Sequence, residues 1–562
     1  MPESESMTTG QALVQSLIAQ GVDTVFGLPG VQTYALFDAL HEYQHQVKYV
    51  GSRHEQGCAY MAFGYAKSTG KVGVYTVVPG PGFLNTTAAL CSAYAANAPV
   101  LCITGQVPSA YIGSGAGMLH ELPDQLAVMK LLTKWAARID KPEQVPAVMA
   151  EAFAQMTSGR QRPVAVEIPW DVLLAKGNVE ISGRVESAGG SQAARLAHAR
   201  TPGSGTTSAS TISGDIDEAV ALIRAAKSPM IMVGSGANEA GAEVLELAQR
   251  IQAPVVSFRS GRGVVSDDSP YALNCAAGFR LWDQTDLLIG IGSRLELQYF
   301  RWPARPPNLK LIRVDIDPAE LKRLKPHAGI LADARAGTAE LIDALERSGY
   351  AGARSREQDF IATKSQVDRE VQEVQPQLSH LEAIRDVLPR DGFFVEEISQ
   401  VGFASYFGFP IYKPRTFVTC GYQGTLGFGF NTALGVKVGN PDKSVVSITG
   451  DGGFMFGVQE LASAVQQDIN LVTVLFNNNA FGNVLRDQKT RFRGAMGSEL
   501  RNPDFVKLTE SFGAKAWRAN SPAELRGHLE RGFAEKGPVV IEVPVPQGSE
   551  VSPWKYLTPG GY

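Results

Sequence analysis

Short apolar runs closed by glycine, proline or asparagine, and separated by stretches that suit helices, recur along most of the chain. Thr9 is placed to cap a helix through Gln20, with Gly21 at its end; a strand at Thr24-Val25-Phe26 and the turn Gly27-Leu28-Pro29-Gly30 follow. The alternation continues through Val72 to Val78 and Val100 to Thr104, which predicts an α/β domain with a parallel sheet. A second block repeats it with strands at Pro229 to Val233, Pro254 to Phe258, Leu287 to Ile291 and Leu311 to Val314. A third carries the runs Val445 to Thr449 and Leu471 to Phe476. Between about Gly177 and Gly214 the residues turn to Gly, Ser, Ala and Thr, too polar to order themselves, so a linker is expected there. The predicted organisation is α/β, three consecutive doubly wound parallel-sheet domains at 1–178, 215–347 and 379–545, linkers at 179–214 and 348–378, and a C-terminal tail at 546–562.

Composition agrees with that division. A chain of 562 residues exceeds what one core usually supports, and roughly two to four domains are expected. With 52 basic against 56 acidic residues the formal net charge is −4, and no Lys/Arg block marks a nucleic-acid footprint. The first residues are acidic where a signal peptide is basic, and no apolar stretch reaches the roughly 18 residues of a membrane span, so a cytoplasmic protein without a membrane partner is expected. Cys58, Cys91, Cys102, Cys275 and Cys420 are scattered and lack C-x-x-C spacing, which favours reduced thiols over disulfides or zinc.

Two features change the picture from fold to chemistry. Gly450-Asp451-Gly452 ends one apolar run and Asn477-Asn478-Asn479 ends another, one strand-helix-strand crossover later. In a parallel sheet that spacing sets the carboxyl ends of neighbouring strands side by side, at the edge where open α/β sheets bind ligands. A carboxylate and an amide oxygen there suit Mg²⁺, which takes its remaining ligands from water and substrate phosphates. Val458-Gln459-Glu460-Leu461 is read as opening a helix whose first amides could face a phosphate. Early in the chain, Tyr49 to Ala59 passes from a strand through Ser52-Arg53-His54-Glu55 into a helix of small residues, placing Glu55 at the strand-to-helix turn.

The combination of Arg53-His54-Glu55-Gln56, Gly80-Pro81-Gly82, Gly450-Asp451-Gly452 and Asn477-Asn478 resembles the thiamine-diphosphate-dependent enzymes, specifically their acetolactate synthase-like group of 2-oxo acid decarboxylases and carboligases. The resemblance covers nearly the whole chain. It implies a pyrimidine-binding first domain, a middle domain that is structural or holds FAD or ADP, a diphosphate-binding third domain, and a homodimer or homotetramer whose sites are shared between subunits. Asp451, Asn478 and the main-chain oxygen of Ala480 then correspond to Mg²⁺ ligands, and Gly452, Gly453, Ser399 and Gln400 to neighbours of the diphosphate. Glu55 matches the glutamate that hydrogen-bonds the pyrimidine and favours its imino tautomer. Leu426 matches the apolar support for the bent cofactor, and the Gly424 carbonyl an acceptor for its exocyclic amine.

Substrate is less legible. Leu119 and His120 stand where acetolactate synthases carry Phe and Gln, and Asp487 where they carry a tryptophan; both departures argue against a true acetolactate synthase. His120 is a candidate proton donor or acceptor at the reacting carbonyl. Leu-His-Glu-Leu-Pro with a downstream Gln is closer to members that decarboxylate larger 2-oxo acids, including guanidino-substituted ones. Gly82-Phe83-Leu84-Asn85 also resembles oxalyl-CoA decarboxylases and 2-hydroxyacyl-CoA lyases, in which case the substrate is an acyl-CoA and the tail with Trp554 and Tyr556 a lid. A catalytically silent scaffold is the reading from another class, disfavoured by the joint presence of Glu55, Asp451 and Asn478. In the middle domain, Val233-Gly234-Ser235-Gly236-Ala237 and Val314-Asp315-Ile316-Asp317-Pro318 lie where relatives contact FAD or ADP.

Overall fold

The computed structural model describes residues 5–181, 213–303 and 305–560, so most of the segment read as the first linker lies outside the described residues. Three mainly parallel sheets follow one another along the chain, each flanked by helices. The first runs, edge to edge, Lys48–Gly51, Thr24–Gly27, Gly73–Val77, Val100–Gln106, Val164–Pro169, Trp135–Arg138. The third runs Phe417–Val418, Phe393–Val395, Val445–Gly450, Val472–Asn477, Val539–Pro544, Lys515–Arg518. Counted in chain order within each sheet, both read second, first, third, fourth, sixth, fifth. In such a sheet the crevice opens beyond the carboxyl ends of the first and third strands, where the order reverses. Those ends carry Gly27 and Val77 in the first domain and Val395 and Gly450 in the third.

The middle sheet has seven strands, six parallel and one short antiparallel edge strand, Ser213–Gly214, paired with Ala328–Leu331. Its two glycine-bearing turns abut: a Cβ at Gly234 would overlap the carbonyl oxygen of Gly292 and sit 2.8 Å from the Cα of Ser293. Close packing of one turn on the other thus accounts for a glycine there without a nucleotide.

At the N-terminus the helix is Thr9–Ala19, and Thr8 rather than Thr9 caps it. The Thr8 hydroxyl accepts the Gln11 amide proton while the Gln11 side chain returns a bond to the Thr8 backbone, a reciprocal pair available only one residue earlier than expected. The segment 348–378 holds a helix, Glu357–Glu370, with Phe360 and Val367 buried. The tail to Gly560 is folded onto the third domain: Trp554 packs on Phe403 with ring centroids 4.8 Å apart, and Tyr556 on Phe407 at 5.2 Å.

First and third domains share one core. The helix Glu55–Thr69 lies against Gly429–Gly439 so closely that a Cβ on Gly64 would overlap the backbone oxygen of Thr432. Tyr60, Phe63, Phe428, Phe430 and Phe454 are buried in the same cluster. That contact fixes the first domain's Glu55 turn relative to the third domain.

Candidate functional site

Val445–Gly450 and Val472–Asn477 are adjacent parallel strands with Gly450 opposite Phe476, so Asp451 and Asn478 leave the sheet side by side. Asp451 begins the short helix Asp451–Phe454 and is 2% exposed. Its Oδ2 accepts the Ala480 amide proton at 3.2 Å and the Asn502 Nδ2 proton at 2.7 Å. Asn478 Oδ1 accepts from the same Ala480 amide at 3.1 Å, so the two side-chain oxygens converge on one point of the backbone. Burial raises the Asp451 carboxyl above its ordinary range, opposed by the hydrogen bonds from Gly452, Asn502 and Ala480. On its other side the Asn478 amide donates from Nδ2 to Glu550 Oε2 at 2.9 Å.

Glycines line the next turn because there is no space for more. A Cβ on Gly452 would overlap the Phe481 ring, and one on Gly453 would lie 3.3 Å from the Glu397 side chain and 3.4 Å from Leu426. Beside Gly450 the space is open, with only Ser399 Cβ within 4 Å, at 3.8 Å. Ser399 caps the helix Gln400–Gly408 by accepting the Gly402 amide proton. Gln400 is buried; its Nε2 donates to Asn483 Oδ1 at 3.3 Å, and among the described residues its Oε1 has no hydrogen-bond partner. A hard-oxygen pair, a glycine cradle and an orphaned buried amide oxygen at one strand-end crevice fit a divalent cation carrying a diphosphate. Among the described residues no group of three or more His, Cys, Asp or Glu is placed to hold a metal.

Glu397 organises the neighbouring turn. It is fully buried and accepts the amide protons of Gly429 at 2.8 Å, Gly427 at 3.1 Å and Ile398 at 3.1 Å, which fixes the backbone on either side of Leu426 and Phe428. Burial pushes this carboxyl up to about 8 even against those three donors. Gly424 stands exposed at φ +58°, and the adjacent Thr425 hydroxyl meets Ser92 of the first domain at 2.9 Å.

In the first domain, His54 caps the helix Glu55–Thr69 through a bond from the Gln56 amide. Glu55 Oε2 accepts from Asn85 Nδ2 at 2.9 Å, and its Oε1 lies 3.5 Å from where a Gly82 Cβ would stand. His120 takes a positive φ of 68° and places its backbone directly over Gly80. Its Nδ1 meets Gln32 Oε1 at 3.1 Å, while Gln32 Nε2 donates to the Leu119 carbonyl at 3.0 Å. Beneath, Gln125 Oε1 accepts the Gly80 amide proton at 2.8 Å. Gly80 and the short helix Pro81–Asn85 that follows it thus touch both Glu55 and His120.

The site residues fall into two groups. Asp451, Asn478, Ala480, Gly452, Gly453, Leu426 and Ser399 gather on the third domain, and Glu55 and His120 on the first. Among the described residues no hydrogen bond joins a member of one set to a member of the other. The helix expected from Val458 begins at Glu460, and the Glu460 side chain accepts the backbone amide protons of Arg53 and His54. Asn502, Glu397 and Glu550 were not foreseen as partners. Asn85 stood in a quoted motif, but only its placement beside Glu55 reveals what it does.

Three consecutive parallel-sheet domains with an oxygen-lined crevice on the last define a cofactor-dependent α/β enzyme. Family models for the thiamine pyrophosphate enzymes match it three times: the N-terminal TPP binding domain over residues 7–128, the central domain over 216–344 and the C-terminal TPP binding domain over 398–543. The chain is 34% identical to the probable 2-ketoarginine decarboxylase AruI of Pseudomonas aeruginosa, covering 97% of this chain and 95% of that protein. It is 32% identical to a probable acetolactate synthase large subunit of Methanocaldococcus jannaschii, over 99% and 94% of the two. With the acetolactate synthase isozyme 2 large subunit of Escherichia coli it shares 31% identity over 99% and 98%. The chain belongs to the thiamine-pyrophosphate-dependent enzymes, in their acetolactate synthase-like group. No helix among the described residues is long and apolar enough to cross a membrane.

Proposed function

We propose that this chain decarboxylates a 2-oxo acid with thiamine diphosphate and Mg²⁺, as a homodimer or homotetramer whose sites each combine the two half-sites from different subunits. The observation that carries the reading is the convergence of Asp451 Oδ2 and Asn478 Oδ1 on the Ala480 amide at the crevice of the third sheet. Asp451, Asn478 and the Ala480 carbonyl hold the cation, and Gly452, Gly453, Ser399 and Gln400 flank the diphosphate. Bound thiamine diphosphate supplies the electron sink for cleaving the bond beside a carbonyl. Glu55, steadied by Asn85, would hydrogen-bond the pyrimidine ring, Leu426 would pack against the cofactor, and the Gly424 carbonyl would accept from its exocyclic amine. His120 serves the reacting carbonyl as proton donor or acceptor.

For the donor we favour a 2-oxo acid with a long cationic side chain. Asp487, on the helix Gly482–Arg491 that follows Asn478, offers a partly exposed carboxylate 3.3 Å from Arg486, where a true acetolactate synthase would carry a tryptophan. The likeness to a probable 2-ketoarginine decarboxylase supports the same choice. Purified protein given thiamine diphosphate and Mg²⁺ is assayed for CO₂ release from 2-ketoarginine, from neutral 2-oxo acids and from pyruvate with an acceptor, and for cleavage of the carbon-carbon bond beside the thioester carbonyl of 2-hydroxyacyl-CoA and oxalyl-CoA. Cofactor-dependent CO₂ release, fastest with 2-ketoarginine, is expected. Carbon-carbon cleavage of the CoA substrates alone would overturn the reading in favour of a CoA lyase or oxalyl-CoA decarboxylase.

A further inference from the structure

The C-terminal segment does more than cover the third domain: it reaches the side chain of Asn478. An asparagine amide can present either its oxygen or its nitrogen in a given direction, and only its surroundings decide which. Here Nδ2 donates to Glu550 Oε2 at 2.9 Å, a carboxylate that accepts hydrogen bonds when ionised. Oδ1 is thereby the atom turned towards Ala480 and Asp451.

Beyond Glu550 the segment is fastened at several points. The Val551 amide donates to the Gln375 carbonyl at 3.0 Å, and the Val551 carbonyl accepts from Gln377 Nε2 at 2.6 Å. Trp554 Nε1 donates to Asn483 Oδ1 at 2.8 Å. That oxygen also accepts from Arg486 at 2.7 Å and Gln400 at 3.3 Å. Asn483 therefore links the docked segment both to the helix after Asn478 and to the turn that carries Gln400.

We propose that Glu550 is a positioning residue for the cation site: it holds the Asn478 amide with Oδ1 facing Asp451, and so couples docking of residues 546–560 to occupancy of that site. The inference rests on the reading of Asp451 and Asn478 as cation ligands. A partner that orients a ligand commonly changes metal affinity about 10- to 100-fold when removed.

The test uses the full chain with saturating thiamine diphosphate and Mn²⁺ as the probe, counting free Mn²⁺ by electron paramagnetic resonance and following hydrogen exchange over 546–560. Glu550→Ala is expected to weaken Mn²⁺ binding about 10- to 100-fold and to abolish the Mn²⁺-dependent protection of the segment. Glu550→Gln keeps an acceptor for Nδ2 and is expected to bind Mn²⁺ within a few-fold of the parent, which also guards against a folding defect in the alanine variant. Unchanged binding in Glu550→Ala overturns the proposal, as does a glutamine variant as weak as the alanine one, since charge or direct ligation would then be what matters. Asp451→Ala separates the two levels. If it leaves Mn²⁺ binding intact the cation reading itself falls; if it abolishes binding while Glu550→Ala does not, only the role of Glu550 falls.

Discussion

The Glu460 carboxylate, on the third domain, accepts the amide proton of His54 at 2.9 Å, and that of Arg53 at 3.0 Å, on the first. Glu460 is fully buried, with the Ser463 hydroxyl as a further donor at 2.6 Å, so the turn that presents Glu55 is held by another domain of the same chain. Glu460→Ala leaves those partly exposed amides without their acceptor, a loss of about 0.5–1.5 kcal/mol for a typical hydrogen bond. Denaturant titration should show that loss. Turnover should fall more than apparent substrate affinity, because it is the direction of Glu55 that is disturbed.

The proposal that each site takes Glu55 from one subunit and Asp451 from another predicts complementation. Glu55→Gln and Asp451→Asn should each be inactive alone. Co-expressed, they form mixed dimers in which one of the two shared sites carries neither substitution, and activity measured on the purified mixture should return. A mixture as inactive as its components would place both halves of the site within one subunit.

Glu397 predicts a pH dependence of stability. Its unperturbed value is 4.5 and its folded value about 8, raised by burial. Between those values the folded chain keeps a proton that the unfolded chain has released, so stability falls as pH rises from the lower value to the upper. Glu397→Gln removes this proton from the balance. Melting curves recorded across that window should therefore fall less steeply with pH for the variant than for the parent; parallel curves would mean that Glu397 is ionised throughout.

The sheets were legible because each strand is a short apolar run with a clear stop, and a buried parallel strand needs little else. Asp451 and Asn478 were legible for a related reason: strands one crossover apart in sequence are neighbours in the sheet, so sequence spacing stands in for distance. No such proxy exists for Glu460 and His54, Asn502 and Asp451, or Glu550 and Asn478. Those partners meet only once the sheet order and the path of the tail are known, and an isolated glutamate or asparagine in a polar stretch reads as surface. The helix expected over Val458 to Gln467 is present as Glu460–Gln466, but nothing in the sequence shows that the buried carboxylate at its start serves the Arg53–His54 turn.

His120 sets the last prediction, because its backbone and its ring make separate demands. At φ 68° it occupies the left-handed region, with its carbonyl packed over Gly80, and asparagine tolerates that region better than most residues. The ring meets Gln32 Oε1 through Nδ1 at 3.1 Å. His120→Asn should thus preserve the loop and its melting temperature while removing the imidazole. If the ring moves a proton at the substrate carbonyl, kcat for 2-oxo acid decarboxylation drops about 10²–10⁴-fold with cofactor binding unchanged. A variant that keeps kcat but raises KM would reduce His120 to a wall of the pocket.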